Sequence, residues 1–353
     1  MNVELVEHIS EIIQLKKDLC TISKLTYNNE IMKIWARWII THRGLFAQKS
    51  LFLPDDDVHD TQFIQELVDK GCPLKHAQYI HLWLWERTNK INKNYNIVAD
   101  AEFGGIHGEE IVVQDKDKKY YHLNCGDIEN SVKCTVYNKL KESYEKENTG
   151  KIDEYKFDMA PYVWVTTVLY GMLDGKGLQW AVPPAFLQFL KQRLKCNTEL
   201  FASPINHHYD KYYSLFELDR VFGSSGNFFN APDSDFNEGC FQVNPPFIDS
   251  LFTKTTVRLL NLLEKAEEQG NELTFIYVMP LWTDFPTHRM VTDSRYCVRS
   301  VTLQSNKHSY YEYSTGAYIK AKFNTAIVFL STDDKICDRI RDGQIQRLFM
   351  PKW

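Results

Sequence analysis

Cys240-Phe241-Gln242-Val243-Asn244-Pro245-Pro246-Phe247 opens a segment in which the period of the apolar residues changes twice. Cys240 to Val243 read as a short strand. Beyond the two prolines, Ile248, Leu251, Phe252, Leu259, Leu260, Leu263 and Ala266 recur at helical spacing, and Gly270 is a natural stop. Leu273-Thr274-Phe275-Ile276-Tyr277-Val278-Met279 is then an almost unbroken apolar, β-rich run, the pattern of a strand covered on both faces of a parallel sheet. Strand, turn, helix and strand make a βαβ unit, with the Asn-Pro-Pro-Phe turn at the carboxyl end of the first strand. Open α/β sheets bind their ligands at that edge.

Alone, the tetrapeptide reads equally well as a proline turn that ends a strand. Its chemistry gives it a second reading. The exocyclic amine of adenine is a poor nucleophile, because its lone pair is delocalised into the ring. Two acceptors, each taking one N–H, draw the nitrogen towards a tetrahedral shape and localise that pair. The Asn244 amide oxygen and the Pro245 carbonyl would be those acceptors. Pro246, with a fixed φ and no N–H, stiffens the turn, and Phe247 offers a face for the base. A methyltransferase uses such a turn as preorganised acceptor placement rather than as an acid or base.

The rest of the chain bounds this reading. Its 353 residues suffice for one large or two medium domains, and 44% hydrophobic with 25% charged residues is ordinary for a folded protein. No apolar run reaches the ~18 residues of a membrane span. Glu4, Glu7 and Glu11 among the first apolar residues argue against a signal peptide. The eight cysteines show no C-x-x-C spacing, which argues against zinc and against a disulfide scaffold and favours an intracellular protein. No metal is expected. The net charge of −5 discourages nucleic-acid binding. Between Phe285 and Asn324, however, Arg289, Arg295, Arg299, Lys307, Lys320 and Lys322 face only Asp293 and Glu312, a local balance of +4. Tyr296, Tyr310, Tyr311, Tyr313 and Tyr318 are interleaved with them. Cations with aromatics suit a single nucleic-acid strand, although a solvated loop over packed tyrosines gives the same pattern.

Residues 1–176 read as a mainly helical domain with a β-hairpin insertion, and 177–353 as an α/β domain. Leu5, Ile9, Ile12, Ile13 and Leu19 fit one helical face. Ile31, Ile34, Trp35, Trp38 and Ile39 fit a second. Phe63, Leu67, Ala77, Ile80, Trp83 and Leu84 suggest a further pair. Phe103-Gly104-Gly105 reads as a turn, and Ile111 to Val113 with Tyr120 to Leu123 as a hairpin. Lys139 to Lys156 reads as an exposed helix or linker, and Tyr162 to Leu173 as an apolar helix. Pro183-Pro184 opens a helix through Leu194. Leu200-Phe201-Ala202 then reads as a strand running into Ser203-Pro204-Ile205-Asn206. Phe222-Gly223-Ser224-Ser225-Gly226-Asn227-Phe228-Phe229 is a glycine-rich turn that lets backbone approach a ligand.

Five runs in one order carry a resemblance: Phe-Ala-Ser-Pro-x-Asn from Phe201, Phe-Gly-Ser-x-Gly-x-Phe-Phe from Phe222, Asn-Pro-Pro-Phe from Asn244, Pro-x-Trp at Pro280 to Trp282, and Asn-Thr-Ala at Asn324 to Ala326. Together they resemble the catalytic core of the phosphorylated-polymerase-tail-interacting factor family, cap-specific adenosine N6-methyltransferases of messenger RNA. The resemblance covers about Gly177 to Leu330. It implies a Rossmann-like core, S-adenosylmethionine as methyl donor, and capped single-stranded RNA as substrate. Carried over by motif, Asn244, Pro245, Pro246 and Phe247 hold the adenine. Phe201, Ala202, Ser203, Pro204 and Asn206, with Phe222, Gly223, Ser224 and Gly226, shape the donor pocket. Trp282, His308 and Asn324 lie on the substrate side, with Arg295 and Arg299 from the basic stretch. The resemblance points to the nucleus. The chain departs from the family's animal members in being shorter and in showing no amino-terminal WW module, so binding to the polymerase tail is not expected. The rival readings are an amino-methyltransferase for DNA adenine, internal RNA adenine or a glutamine amide, and an inactive RNA-binding scaffold of the same fold.

Overall fold

A computed structural model describes residues 3–23, 28–45, 50–54, 60–95, 112–115, 119–149, 159–173, 179–281 and 286–350. The chain divides into two compact units. One comprises Met1–Leu178 with Phe216–Phe222, the other Gln179–Leu215 with Gly223–Trp353.

The first unit begins with four helices, α1 (Val3–Ser23), α2 (Asn28–Leu45), α3 (Thr61–Asp69) and α4 (Leu74–Asn94). In α1 the buried stripe is Leu5, Ile9, Ile12, Leu15 and Leu19, spaced by three or four residues, with Ile13 only half-buried at its edge. Asp60 caps α3, its carboxylate accepting from Phe63 N at 2.8 Å, and pairs with Arg37 and His42 at 3.1 and 3.3 Å. Three antiparallel strands follow: β1 (Val112–Asp115), β2 (Tyr120–Cys125) and β3 (Ile128–Lys133). The expected hairpin is β1–β2, and β3 adds a third strand to it. Cys125 pairs with Ile128 across a two-residue turn in which Gly126 takes φ +54°, a turn only glycine and a few polar residues favour. The polar make-up of β3 conceals it in the sequence. The expected turn at Phe103-Gly104-Gly105 lies outside the described residues. Helices α5 (Cys134–Glu147) and α6 (Met159–Met172) complete this part, and α6 is buried nearly all round. Phe216 to Phe222 pack here too: Phe216 stacks on Phe52 at 5.8 Å, and the Tyr170 hydroxyl donates to Asp219 at 2.6 Å.

His8 is fully buried on α1, and among the described residues neither of its ring nitrogens has a partner. Burial lowers its pKa from 6.5 to about 4. The folded chain therefore resists a proton that the unfolded chain accepts. Its stabilising contribution is complete above pH 6.5 and is lost as the pH falls towards 4. At about 1.4 kcal/mol per pKa unit, the loss approaches ~3 kcal/mol. Urea melts between pH 7.5 and 4 should show this slope in the parent and a shallower one in His8→Leu. Equal slopes would mean that His8 takes up its proton equally in the folded and unfolded states.

The second unit is built on a six-stranded sheet of β4 (Thr198–Glu199), β5 (Lys211–Tyr212), β6 (Gly239–Val243), β7 (Leu273–Pro280), β8 (Cys297–Leu303) and β11 (Thr325–Ser331), in the order β5-β4-β6-β7-β11-β8. The β5/β4, β4/β6 and β6/β7 pairs are parallel. β11, the last strand in sequence, inserts antiparallel to both β7 and β8. Helix α7 (Pro184–Leu194) lies against one face and α8 (Asp249–Glu268) against the other, in two hydrophobic clusters. Every residue of β7 is buried, as a central strand covered on both faces requires. α9 (Pro286–Thr292) precedes β8, and α10 (Asp342–Leu348) closes the described chain. β9 (Ser309–Glu312) and β10 (Ala317–Lys320) form a separate hairpin. The strand expected at Leu200 to Ala202 sits two residues earlier, at Thr198–Glu199. Leu200 to Ser203 form the loop at its carboxyl end: the polar Thr198-Glu199 pairs with β6, Leu200 N makes the last bond to Gln242 O, and the chain then turns away.

Candidate active site

From β4 the sheet extends outward to β5, and the chain then returns to the other side as β6. The carboxyl ends of β4 and β6 therefore flank a topological switch point, the crevice in which open α/β sheets bind ligands. Asn244 is the first residue after β6 and stands on this edge. Its Nδ2 donates to the Trp180 carbonyl at 3.0 Å. That bond fixes the amide's orientation, since a flipped amide would set oxygen against oxygen. The Oδ1 then points away from Trp180, buried, and no described residue donates to it. A buried acceptor without a donor costs about 1–3 kcal/mol and calls for an explanation. A ligand N–H supplies one. No described residue donates to the Pro245 carbonyl either. Pro246 O accepts from Ile248 N at 2.7 Å, which tightens the turn into α8.

Phe247 is half-buried beside this acceptor. Its ring meets Tyr310 edge-on at 5.7 Å, Phe323 at 5.6 Å and Phe252 at 6.0 Å. Trp180 stacks on Tyr310 at 5.9 Å with 23° between planes. Behind this aromatic wall runs a hydrogen-bonded relay. His308 Nδ1 lies 2.8 Å from the Gln304 carbonyl, which makes it the donor. Its Nε2 therefore accepts from the Thr325 hydroxyl at 2.9 Å, and Thr325 accepts in turn from Tyr310 at 2.9 Å. Burial lowers the His308 pKa, in keeping with this neutral tautomer, and raises that of Tyr310. Asn324 Oδ1 accepts from Ser305 N at 2.7 Å and so holds the turn at the carboxyl end of β8. His308 and Asn324 thus support the wall.

On the other side of the switch point, Ser203 and Asn206 form a reciprocal turn. Asn206 Oδ1 accepts from Ser203 N at 2.7 Å, and Ser203 Oγ accepts from Asn206 N at 3.2 Å, with Pro204 buried between them. Asn206 Nδ2 reaches Gln179 at 3.3 Å. Glu199, buried at the end of β4, accepts from His208 N and Tyr209 N at 2.6 and 2.8 Å and draws the end of this loop back under the sheet. Ala202 N donates to Tyr213 O, and on the far side of that segment Ser214 N donates to Gly226 O at 2.8 Å. Tyr212 also bridges to Ser224 in parallel. The Gly223–Gly226 turn therefore extends the sheet beyond β5. Gly223 and Gly226 hold φ of +89° and +87°, and Ser224 Oγ accepts from Gly226 N at 3.0 Å. Phe201 packs against Phe228 and Phe229 at 5.4 and 5.8 Å. Phe222 falls in the other unit.

The register separates Arg295 and Arg299 from this edge. Leu303 pairs with Thr325 and so lies level with Pro280, whereas Arg299 is four residues back along β8, about 13 Å at strand rise. Arg295 lies further back still. Arg299 donates to the Ile340 carbonyl at 2.6 Å, and Arg295 pairs with Glu267 and Tyr296. Both lie towards the far end of the sheet, away from the Asn244 turn with which they were grouped. Trp282 lies outside the described residues. Gln179 and Trp180 had no sequence signal, being ordinary residues from a distant segment, whereas Tyr310 stood among the interleaved tyrosines and Thr325 inside the Asn324 to Ala326 run without being singled out for the site.

Residues 139–313 match the family model described as the phosphorylated CTD interacting factor 1 WW domain. The chain belongs to this family. It is 30% identical over 233 residues to the mRNA (2'-O-methyladenosine-N(6)-)-methyltransferase of Mus musculus, covering 58% of this chain and 31% of that protein. It is also 30% identical over 236 residues to the Homo sapiens protein of the same name, covering 58% and 32%. The chain thus spans about a third of the length of the curated relatives it matches. The matched description itself carries a WW domain, which withdraws the expectation that no WW module is present, and with it the argument against polymerase-tail binding. Among the described residues no helix is long and apolar enough to cross a membrane, and no group of His, Cys, Asp or Glu could hold a metal ion.

Proposed function

We propose that the second unit is a Rossmann-like, S-adenosylmethionine-dependent methyltransferase that acts on the N6 of adenosine in RNA, at the nucleotide next to the cap. The observation that carries this reading is the buried Asn244 Oδ1, oriented by Trp180 and lacking a donor among the described residues. It fits the N–H of an exocyclic amine, and the Pro245 carbonyl fits the second N–H. The relatives named for 2'-O-methyladenosine N6-methylation favour adenosine as the bearer of that amine.

The residues around the switch point fit the donor. The Leu200–Asn206 loop and the Gly223–Gly226 turn flank Tyr212–Ser214 on this edge, and the two glycines carry no side chain that would keep a ligand from the backbone. Bound there, S-adenosylmethionine supplies an electrophilic methyl group. The chain's own part is to hold and polarise the amine. Asn244 and Pro245 each accept one N–H, and their bonds strengthen as the nitrogen pyramidalises, so they favour the transition state over the bound substrate. Phe247 offers its half-exposed ring to the base. The Tyr310–Thr325–His308 relay keeps the wall behind it rigid and uncharged. A terminal nucleotide is already single-stranded, so the amine is reached with little unstacking.

The test is methyl transfer from labelled donor to short RNAs that differ only in cap and first base. Capped RNA beginning with adenosine should be methylated, capped RNA beginning with guanosine should not, and uncapped RNA should be methylated poorly. Equal rates on capped, uncapped and DNA oligonucleotides would remove the cap assignment and leave adenine amino chemistry. On the best of these substrates, Phe247→Ala should lower kcat/KM by ~1–3 kcal/mol, the range for a lost base–aromatic contact. Phe247→Tyr should keep part of it. Normal turnover by the alanine variant would make Phe247 a packing residue only.

A further inference from the structure

Five of the six basic residues between Phe285 and Asn324 fall into two groups that the sequence does not separate, and the sixth, Arg289, lies on α9. At the far end of the sheet, Arg295 and Arg299 are engaged with Glu267 and with Ile340 and Asp342. At the near end, Lys307, Lys320 and Lys322 are exposed, and none of the three makes a side-chain hydrogen bond or an ion pair among the described residues. They are close in the fold. Lys320 pairs with Ser309 across the β9–β10 hairpin, and the chain continues with Ala321 N donating to His308 O and Asn306 N donating to Ala321 O. The turn through Lys307 therefore runs beside Lys320–Lys322. Like charges brought together without a counter-charge repel one another.

The same surface carries aromatics. Tyr318 and Lys320 are two apart on β10 and share a face. The buried Ala321 keeps the alternation, so the exposed Lys322 follows on that face. Tyr311 is directly opposite Tyr318, their half-exposed rings 5.1 Å apart. Tyr311 also exchanges both backbone hydrogen bonds with Ala181, at 2.8 and 2.9 Å. Ala181 follows Trp180, the residue whose carbonyl orients Asn244. A row of tyrosines and unpaired lysines thus begins one residue from the group that holds the candidate acceptor amide.

We infer that this face of the hairpin, with Tyr311, Tyr318, Lys307, Lys320 and Lys322, is the track for a single RNA strand leading away from the Asn244 turn. The lysines meet successive phosphates and the tyrosines stack bases, the combination used to bind single strands. The inference rests on the reading of the site as an RNA methyltransferase, which supplies the polymer that crosses this edge. Its charge complement is a polyanion with planar bases, and its position excludes Arg295 and Arg299 from the contact.

Fluorescence anisotropy with a labelled capped 12-nucleotide RNA tests the track without requiring turnover. Replacing Lys307, Lys320 and Lys322 together by Glu should weaken binding by at least about 10-fold and lower the salt slope by roughly 2, at ~0.7 per phosphate contact. The same variant should leave the affinity for the capped dinucleotide and for S-adenosylmethionine unchanged. Arg295→Glu with Arg299→Glu should leave the 12-mer affinity within about twofold. Tyr318→Ala should weaken the 12-mer selectively, which a purely electrostatic surface would not require. Unchanged 12-mer binding by the triple lysine variant would overturn the track, as would an equal loss in the arginine variant or equal competition by polyglutamate. Absence of methyl transfer to any RNA would sink the methyltransferase reading instead, and anisotropy would still decide the track.

Discussion

Asn244→Ala is expected to lower methyl transfer by at least about 100-fold while leaving S-adenosylmethionine affinity within about threefold. The rate effect is of the size seen when one preorganised polar group is removed from a transition state. The small binding effect follows from geometry. Asn244 bonds the Trp180 carbonyl, whereas the loops proposed to hold the donor lie across the switch point around Tyr212–Ser214. Folding should change little, because the one described bond lost, Nδ2 to Trp180 O, is offset by relief of a buried acceptor without a donor. Asn244→Asp separates orientation from acceptance. Aspartate keeps an acceptor oxygen but turns its other oxygen towards the Trp180 carbonyl, so the carboxylate should rotate or take up a proton. Its rate should fall nearly as far as that of the alanine variant. A rate near the parent's in Asn244→Asp would show that Trp180 does not position this residue. Equal losses of rate and donor affinity in Asn244→Ala would make it a donor-binding or folding residue.

The strand–turn–helix–strand unit was legible because each of its elements carries a complete local pattern. β7 is almost entirely apolar because helices cover both its faces, and α8 shows a helical stripe because only one side packs. The Asn244 turn was legible for the same reason, four consecutive residues holding both acceptors. Long-range relations were not. Nothing local shows that β11 inserts between β7 and β8, yet that insertion decides that Asn324 and His308 support the aromatic wall, while Arg299 stands about 13 Å back from Leu303 along β8. Charge counting treated Arg295 and Lys322 alike, whereas the fold pairs one with Glu267 and leaves the other without a counter-charge among the described residues. Trp180 is one of eight tryptophans, and what distinguishes it is a backbone carbonyl, which no side-chain pattern reveals.

Gly226→Val is expected to weaken S-adenosylmethionine binding by about 10-fold or more, with the protein still folded. Gly226 holds φ +87°, a region that a β-branched residue enters only at a cost of about 1–3 kcal/mol. The residue cannot relax in place, since Ser214 N donates to its carbonyl and Ser224 Oγ accepts from its N–H, and Ser224 is itself bonded to Ser214 at 2.6 Å. Valine must therefore break one of these bonds and release the turn from the edge of the sheet beyond β5. The core beneath is built mainly from β6, β7, β11 and the helices on their faces, so melting should remain cooperative and only a few degrees lower. Gly226→Ala should lie between valine and parent, because it meets the same backbone penalty without the branched side chain. Ser224→Ala, which removes the hydroxyl and keeps the glycine, should weaken the donor less than valine does. Titration calorimetry decides the point. A folded Gly226→Val protein with parental donor affinity would remove the Gly223–Gly226 turn from the donor site and leave the Phe201–Asn206 loop as its remaining wall.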